Sequence, residues 1–296
     1  MNKELFLRMS SWSQLFFLCL FSFCGLVIAS VLTLLIGVGT DSLQSLDFMK
    51  AMQVVQVIFI FLIPSLLCAY LFHKSAPRFL KINKPIDVKF LLLSILLIFA
   101  IQPLIAFTGY YNGLMTLPES LAGLERIMKA MEEQAQALIE KMLTTDSIII
   151  LLVNLFVIAI TAGVTEEFFF RGSMQQTIKK ICKNRHVAVW ITAFIFSFIH
   201  FQFYGFVPRL LLGALLGYIF LWSGNLWIPV IVHAINNTIG VLTFHFFHNT
   251  PIYEKLETFG VGNTLWATIV SIVLSGTILA ILSREYQKNN PQDFTI

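Results

Sequence analysis

The feature that most constrains this chain is a series of apolar runs of membrane-spanning length. Eight of them, at 15–38, 54–72, 90–107, 148–170, 187–203, 206–222, 226–247 and 265–282, reach or approach the roughly 20 residues a helix needs to cross about 30 Å of hydrocarbon. Inside lipid the backbone has to satisfy its own hydrogen bonds, and runs of this length do so as helices. The expected fold is therefore all-α, a polytopic membrane helical bundle of about eight transmembrane helices. Composition agrees. The 296 residues are 57% hydrophobic and only 12% charged, with 29 Phe and a mean hydropathy of +0.80. A soluble globule could not hide so much apolar surface. This excludes a cytosolic enzyme, a disordered chain and a nucleic-acid partner. Cys19, Cys24, Cys68 and Cys182 show no CxxC spacing, so neither a disulfide framework nor a thiolate zinc site is suggested.

Loop charge sets an expected orientation. With the N-terminus inside, the inner segments hold 14 of the 20 Lys and Arg residues and the outer segments hold 6. The positive-inside rule then puts both termini in the cytoplasm. The Phe-rich, short-looped style reads as an integral protein of a bacterial plasma membrane.

One outer loop has a periodicity of its own. Leu117, Leu121, Leu124, Met128, Met131, Ala135, Leu138 and Met142 recur at steps of three and four, one face of a helix. Two readings fit it: an amphipathic helix resting on the membrane surface, or a lid or substrate guide.

Ionisable residues inside a span are costly and point to function. Between Asp146 and Glu254 the only acids are Glu166 and Glu167, both in the fourth span. His200 falls in the fifth, and His233, Asn236 and Asn237 in the seventh. Glu167 and Arg171 stand four residues apart and share a helix face, whereas Glu166 points about 100° away. One acid is thus neutralised and the other left for chemistry. His233 and Asn237 share a face by the same spacing. Glu166 meets His200 in depth only if the fourth helix continues past Arg171 towards Lys179. His233 requires the seventh helix to begin deeper than Leu226 suggests. A carboxylate and a histidine can activate water, while a second histidine and an amide can stabilise an oxyanion. Equally, carboxylate and imidazoles are ligands for a catalytic zinc. HExxH is absent. The plainer readings are a structural ion pair with Arg171 and interhelical hydrogen bonds from the histidines. Arg209 in the sixth span is expected to snorkel to the outer face, Gly213 and Gly217 to permit close helix packing, and Asn236 to be structural.

Glu166-Glu167-Phe168-Phe169-Phe170-Arg171 reads as EExxxR, Phe196-Ser197-Phe198-Ile199-His200 as FxxxH, and His233-Ala234-Ile235-Asn236-Asn237 as HxxxN. In this order and on separate apolar helices, these motifs resemble those of the CPBP intramembrane proteases, which include the type II CaaX prenyl endopeptidases and the Abi proteins. The resemblance spans about 147–247. It implies an endopeptidase acting on a protein or peptide substrate within the bilayer. Glu166 with His200 would activate water. His233 and Asn237 would bind the oxyanion or a metal, and Glu167 with Arg171 would hold the site in shape. If a zinc ion is used, its ligands would be Glu166, His200 and His233; a glutamate-driven route needs the same residue types. On this reading, residues 1–146 are a three-span region with an amphipathic helix near 118–143, 147–247 the catalytic core, and 248–296 the last span with a polar cytoplasmic tail after Ser283. The competing classes are a non-proteolytic scaffold or bacteriocin self-immunity protein, and a small transporter. Intact motifs favour the enzyme over the first, and the lack of evident inverted repeats disfavours the second.

Overall fold

The computed structural model of the chain describes residues 3–43 and 45–289, and every regular element in them is helical. The principal helices are α1 (Ser11–Gly39), α2 (Leu46–Phe72), α3 (Val88–Gly113), α4 (Ala122–Leu143), α5 (Ile148–Cys182), α6 (Arg185–Phe198), α7 (Phe206–Ser223), α8 (Trp227–Phe247), α9 (Pro251–Glu257) and α10 (Leu265–Asn289). Among the described residues, seven are long and apolar enough to cross a membrane: α1, α2, α3, α5, α7, α8 and α10. The chain is an integral membrane protein. Side-chain caps mark several starts. Ser10 accepts from the Ser13 N–H, Asp87 from Phe90, and Asn184 from both His186 and Val187.

The expected fifth span, 187–203, is corrected. Helix α6 has 14 residues, about 21 Å at 1.5 Å per residue, short of the roughly 30 Å hydrocarbon core. It stops at Phe198 because the chain turns there, with Phe201 in the left-handed region at φ +53°. His200 therefore sits in the turn between α6 and α7, not inside a helix. A helix that starts at one face and stops short delivers that turn to the middle of the bundle.

The fourth span is longer than its apolar run. Helix α5 passes Arg171 and stops at Lys183, where φ is +53°. Two stretches of it, Leu155–Thr161 and Phe168–Gln175, are π-helical, and they flank the short α-helical segment Ala162–Glu167 that carries both acids. Such bulges widen the turn and release backbone carbonyls for other partners. The start of α8 is buried. Leu226 and Ile228 are fully covered, Leu226 N–H donates to Lys81 O at 3.1 Å, and the Asn225 amide donates to Lys84 O and Pro85 O. The loop before α3 thus lies beneath α8. Burial among Lys179 and Lys84 pushes the Lys81 ammonium in this loop down to about 8. Helix α10 continues past Ser283 to Asn289, and there Glu285 pairs with Lys89 at 2.9 Å and with Lys288 at 3.5 Å. Residues 290–296 of the expected tail lie outside the described residues.

Close packing around the site uses small residues. A side chain at Gly163 would meet the backbone of Val230 and Ala234 at 3.1 Å, so α5 and α8 touch through this glycine, four residues before Glu167. Gly213 and Gly217 on α7 lie against Ala193, Phe196 and Val189 of α6. The same two glycines offer their carbonyls to α5: Arg171 Nη2 donates to Gly213 O at 2.9 Å, and Gln175 Nε2 to Gly217 O at 3.1 Å. The GxxxG thus serves hydrogen bonding as well as contact. Around this centre, one apolar core joins α3, α7, α8 and α10 through Leu97, Ile98, Leu216, Ile219, Val232 and Leu282, and a second joins α1, α2, α5 and α6 through Leu18, Phe72, Phe169, Phe170 and Phe196.

A Gly217→Leu change would drive its side chain into Val189 Cγ1, 2.9 Å from an ideal Cβ, and into the Gln175 amide. Overpacking of this kind costs about 1–3 kcal/mol. The thermal unfolding midpoint of the purified protein in detergent is expected to fall; an unchanged midpoint would show that α6 and α7 do not meet here.

Candidate active site

The site is built around a buried charge. Arg171 and Glu167 are both fully covered, and Arg171 Nη1 donates to Glu167 Oε1 at 2.6 Å. Removing both charges from water is expensive, so the pair persists only with further bonds. Arg171 adds the Gly213 carbonyl and a stacking contact, its guanidinium lying 4.9 Å from the Phe196 ring centre. Glu167 adds His233, whose Nδ1–H donates to the same Oε1 at 2.8 Å. Glu167 Oε2 and Arg171 Nε have no partner among the described residues.

This chain of bonds fixes the His233 ring. With Nδ1–H committed to Glu167, Nε2 is the ring nitrogen that faces Glu166, whose Oε2 lies 3.9 Å away. That distance is too long for a direct hydrogen bond and is of the kind a shared water fills. Glu166 itself points away from the ion pair, as the helical spacing predicted, and keeps 14% of its side chain exposed.

Glu166 opens into a cavity of about 960 Å³. His200, His233, Asn236, Asn237 and Phe196 line it, along with Gln102 from α3. The turn after α6 brings His200 to the wall, where Nδ1–H donates to Phe196 O at 2.7 Å. Its Nε2 is left as a lone pair. Asn237 donates to Ile158 O at 3.1 Å, within the first π-helical stretch of α5, and retains a second amide N–H. Gln102 donates to Asn236 Oδ1 at 3.3 Å, and Asn236 donates to Asn237 Oδ1 at 3.4 Å. Asn236 is therefore the link that orients Asn237.

Four wall residues depart from the sequence reading or were missed by it. Arg209 lines the cavity instead of snorkelling outwards, because Gln202 provides two acceptors. Gln102 went unnoticed, although an amide in the middle of an apolar span was a readable signal. Glu132 and Gln136 bring α4 to the cavity, and Glu132 accepts from Tyr204 N–H at 3.3 Å. No helical period could have shown that contact. The proposed zinc ligands Glu166, His200 and His233 are not gathered as a set: among the described residues no group of three His, Cys, Asp or Glu stands where it could hold a metal ion. The Nδ1 atoms of His233 and His200 bond Glu167 and Phe196 O and leave Nε2 free on both rings, and Glu166 Oε2 stands 3.9 Å from His233 Nε2.

Arg171→Ala would leave Glu167 charged and buried beside a single histidine. Breaking one side of such a pair costs about 3–5 kcal/mol. Folded, monodisperse yield is expected to collapse, and the double change Glu167→Gln with Arg171→Met to recover much of it. Wild-type yield from Arg171→Ala would mean that the pair does not hold the bundle together.

Comparison with known proteins follows the same region. Residues 148–239 match the family model described as Type II CAAX prenyl endopeptidase Rce1-like. The chain is 29% identical over 87 residues to the "Uncharacterized protein YpbD" of Bacillus subtilis (strain 168), a stretch that is 28% of this chain. The chain therefore spans only 41% of that relative's length. No solved structure matches. The matched segment runs from the start of α5 into α8 and holds all three motifs, and over that stretch this polytopic helical bundle is similar to the type II CAAX prenyl endopeptidases.

Proposed function

We propose that this protein is an intramembrane endopeptidase that hydrolyses a peptide bond with water activated by Glu166. The observation that carries this reading is the placing of Glu166. It is the acid left over by the Glu167–Arg171 pair, it faces a cavity large enough for a peptide segment, and it stands 3.9 Å from a histidine of fixed tautomer.

In this mechanism Glu166 takes a proton from water held between its carboxylate and the His233 lone pair, and the hydroxide adds to the scissile carbonyl. The free amide N–H of Asn237, oriented through Gln102 and Asn236, donates to the oxyanion. Collapse of the tetrahedral intermediate breaks the C–N bond. Glu166, now carboxylic acid, returns its proton to the leaving amine, so water is consumed and one acid and one amine are formed. His200 Nε2 on the opposing wall accepts a hydrogen bond from the water or from the substrate amide. Glu167 and Arg171 touch no reacting atom in this scheme; they hold the His233 ring. The loop charges support placing both termini in the cytoplasm, with α4 and α9 on the opposite side.

The test compares new protein N-termini in membranes of cells carrying the wild type or Glu166→Gln at matched expression. Termini seen only with the wild type are expected, and identical profiles from two folded proteins would overturn the proposal. Once a substrate is in hand, Glu166→Gln, His200→Ala and His233→Ala should each lower its cleavage rate by about 10²-fold or more, with unfolding midpoints for Glu166→Gln and His200→Ala close to that of the wild type. Full activity of Glu166→Gln would remove the assigned base.

A further inference from the structure

The cavity has a wall that this chemistry leaves unused. Of the described residues lining it, Arg209 alone is Lys or Arg, and the acids are Glu132, Glu166 and Glu257. Arg209 sits in the first turn of α7 and its guanidinium is held in place. Nη2 donates to Gln202 Oε1 at 2.8 Å and Nη1 to Gln202 O at 3.3 Å. Beneath it lies Gly205, where a Cβ would come within 3.3 Å of Nη2, so the bare glycine provides a seat for the flat group. Both fixed acceptors are neutral. A guanidinium has five N–H donors; two are used on Gln202, and the other three have no partner among the described residues. No carboxylate among the described residues stands within ion-pair distance of it; the Glu132 and Glu166 charges act on it from further off, and Glu132 accepts from Tyr204 N–H.

A cation held by neutral groups on the wall of an otherwise acidic cavity is a receptor for an anion. On an unmodified peptide that anion is a carboxylate, which matches the planar fork of arginine in two parallel bonds. The three acids on the rest of the wall repel it from other positions, so attraction at one point and repulsion elsewhere would fix the register of the bound peptide. We propose that Arg209 anchors a carboxylate of the peptide substrate and thereby selects which bond meets Glu166. The carboxylate comes from an acidic side chain or from the peptide's C-terminus. This inference rests on the protease reading for its substrate class, but binding tests it without turnover.

The probe is a pool of apolar synthetic peptides, each made in three matched forms: Gln-containing with an amidated C-terminus, Glu-containing with an amidated C-terminus, and Gln-containing with a free C-terminal acid. The full chain carrying Glu166→Gln is immobilised in detergent, and retained peptides are counted by mass spectrometry. One or both acid forms are expected to be enriched roughly tenfold over the neutral form, as a charge-assisted hydrogen bond provides. Which acid form wins names the source of the carboxylate. Adding Arg209→Gln should abolish the preference, and Gly205→Val, which displaces the guanidinium but keeps its charge, should reduce it. Unfolding midpoints confirm that the variants are folded. Equal retention of acid and neutral forms, or a preference that survives Arg209→Gln, overturns the inference. A failure here leaves the comparison of N-termini intact, and the reverse also holds.

Discussion

Four helices of this protein converge on one buried ion pair. Glu167 and Arg171 both come from α5, but their remaining bonding capacity is met by α6 through the Phe196 ring, by α7 through the Gly213 carbonyl and by α8 through His233. In lipid a lone charge at that depth costs several kcal/mol, so the bundle is stable only when these partners arrive together. The pair therefore sets the relative rotation and depth of the four helices. It also fixes which nitrogen of His233 carries the proton. Positioning and chemistry are separated by one residue in the sequence: Glu167 holds the ring, and Glu166 faces the cavity.

The irregular backbone of α5 serves the same arrangement. The acids occupy a short α-helical stretch between two π-helical ones. The first offers the Ile158 carbonyl to Asn237; the second contains Arg171, Gln175 and the Ser173 hydroxyl that meets Ser65 on α2 at 2.7 Å. Each is a place where the regular ladder yields a group to a neighbouring helix. Polar side chains within a membrane bundle are satisfied this way when water is excluded.

The cavity is asymmetric. Glu166, His233, Asn237 and the turn carrying His200 line one part of it, and polar residues of α4 and α9 with Arg209 complete the wall. Helix α4 thus does two things. Leu124, Ile127, Met131 and Leu138 on its outer side remain exposed, which suits a membrane surface. Glu132 and Gln136 on the other side close over the cavity.

Helices in lipid are legible because length and hydropathy alone decide whether a run can span, and the seven long ones were all readable from the chain. So was the face shared by Glu167 and Arg171, because i,i+4 neighbours follow from the helical repeat and need no knowledge of the fold. The polar residues that would meet were recognisable by being out of place in apolar surroundings. What needed the tertiary structure were relations between helices and departures from regular geometry. Nothing in the apolar run 187–203 announces that the helix stops at Phe198, because the turn arises from backbone conformation at Phe201 and from packing on α7. The register that sets Gly163 against Ala234, and Gly213 beneath Arg171, is decided by van der Waals fit between surfaces far apart in sequence. Arg209 shows the limit most clearly: a snorkelling arginine and a cavity arginine read alike along the chain, and only the acceptors on Gln202 and the open seat at Gly205 decide between them.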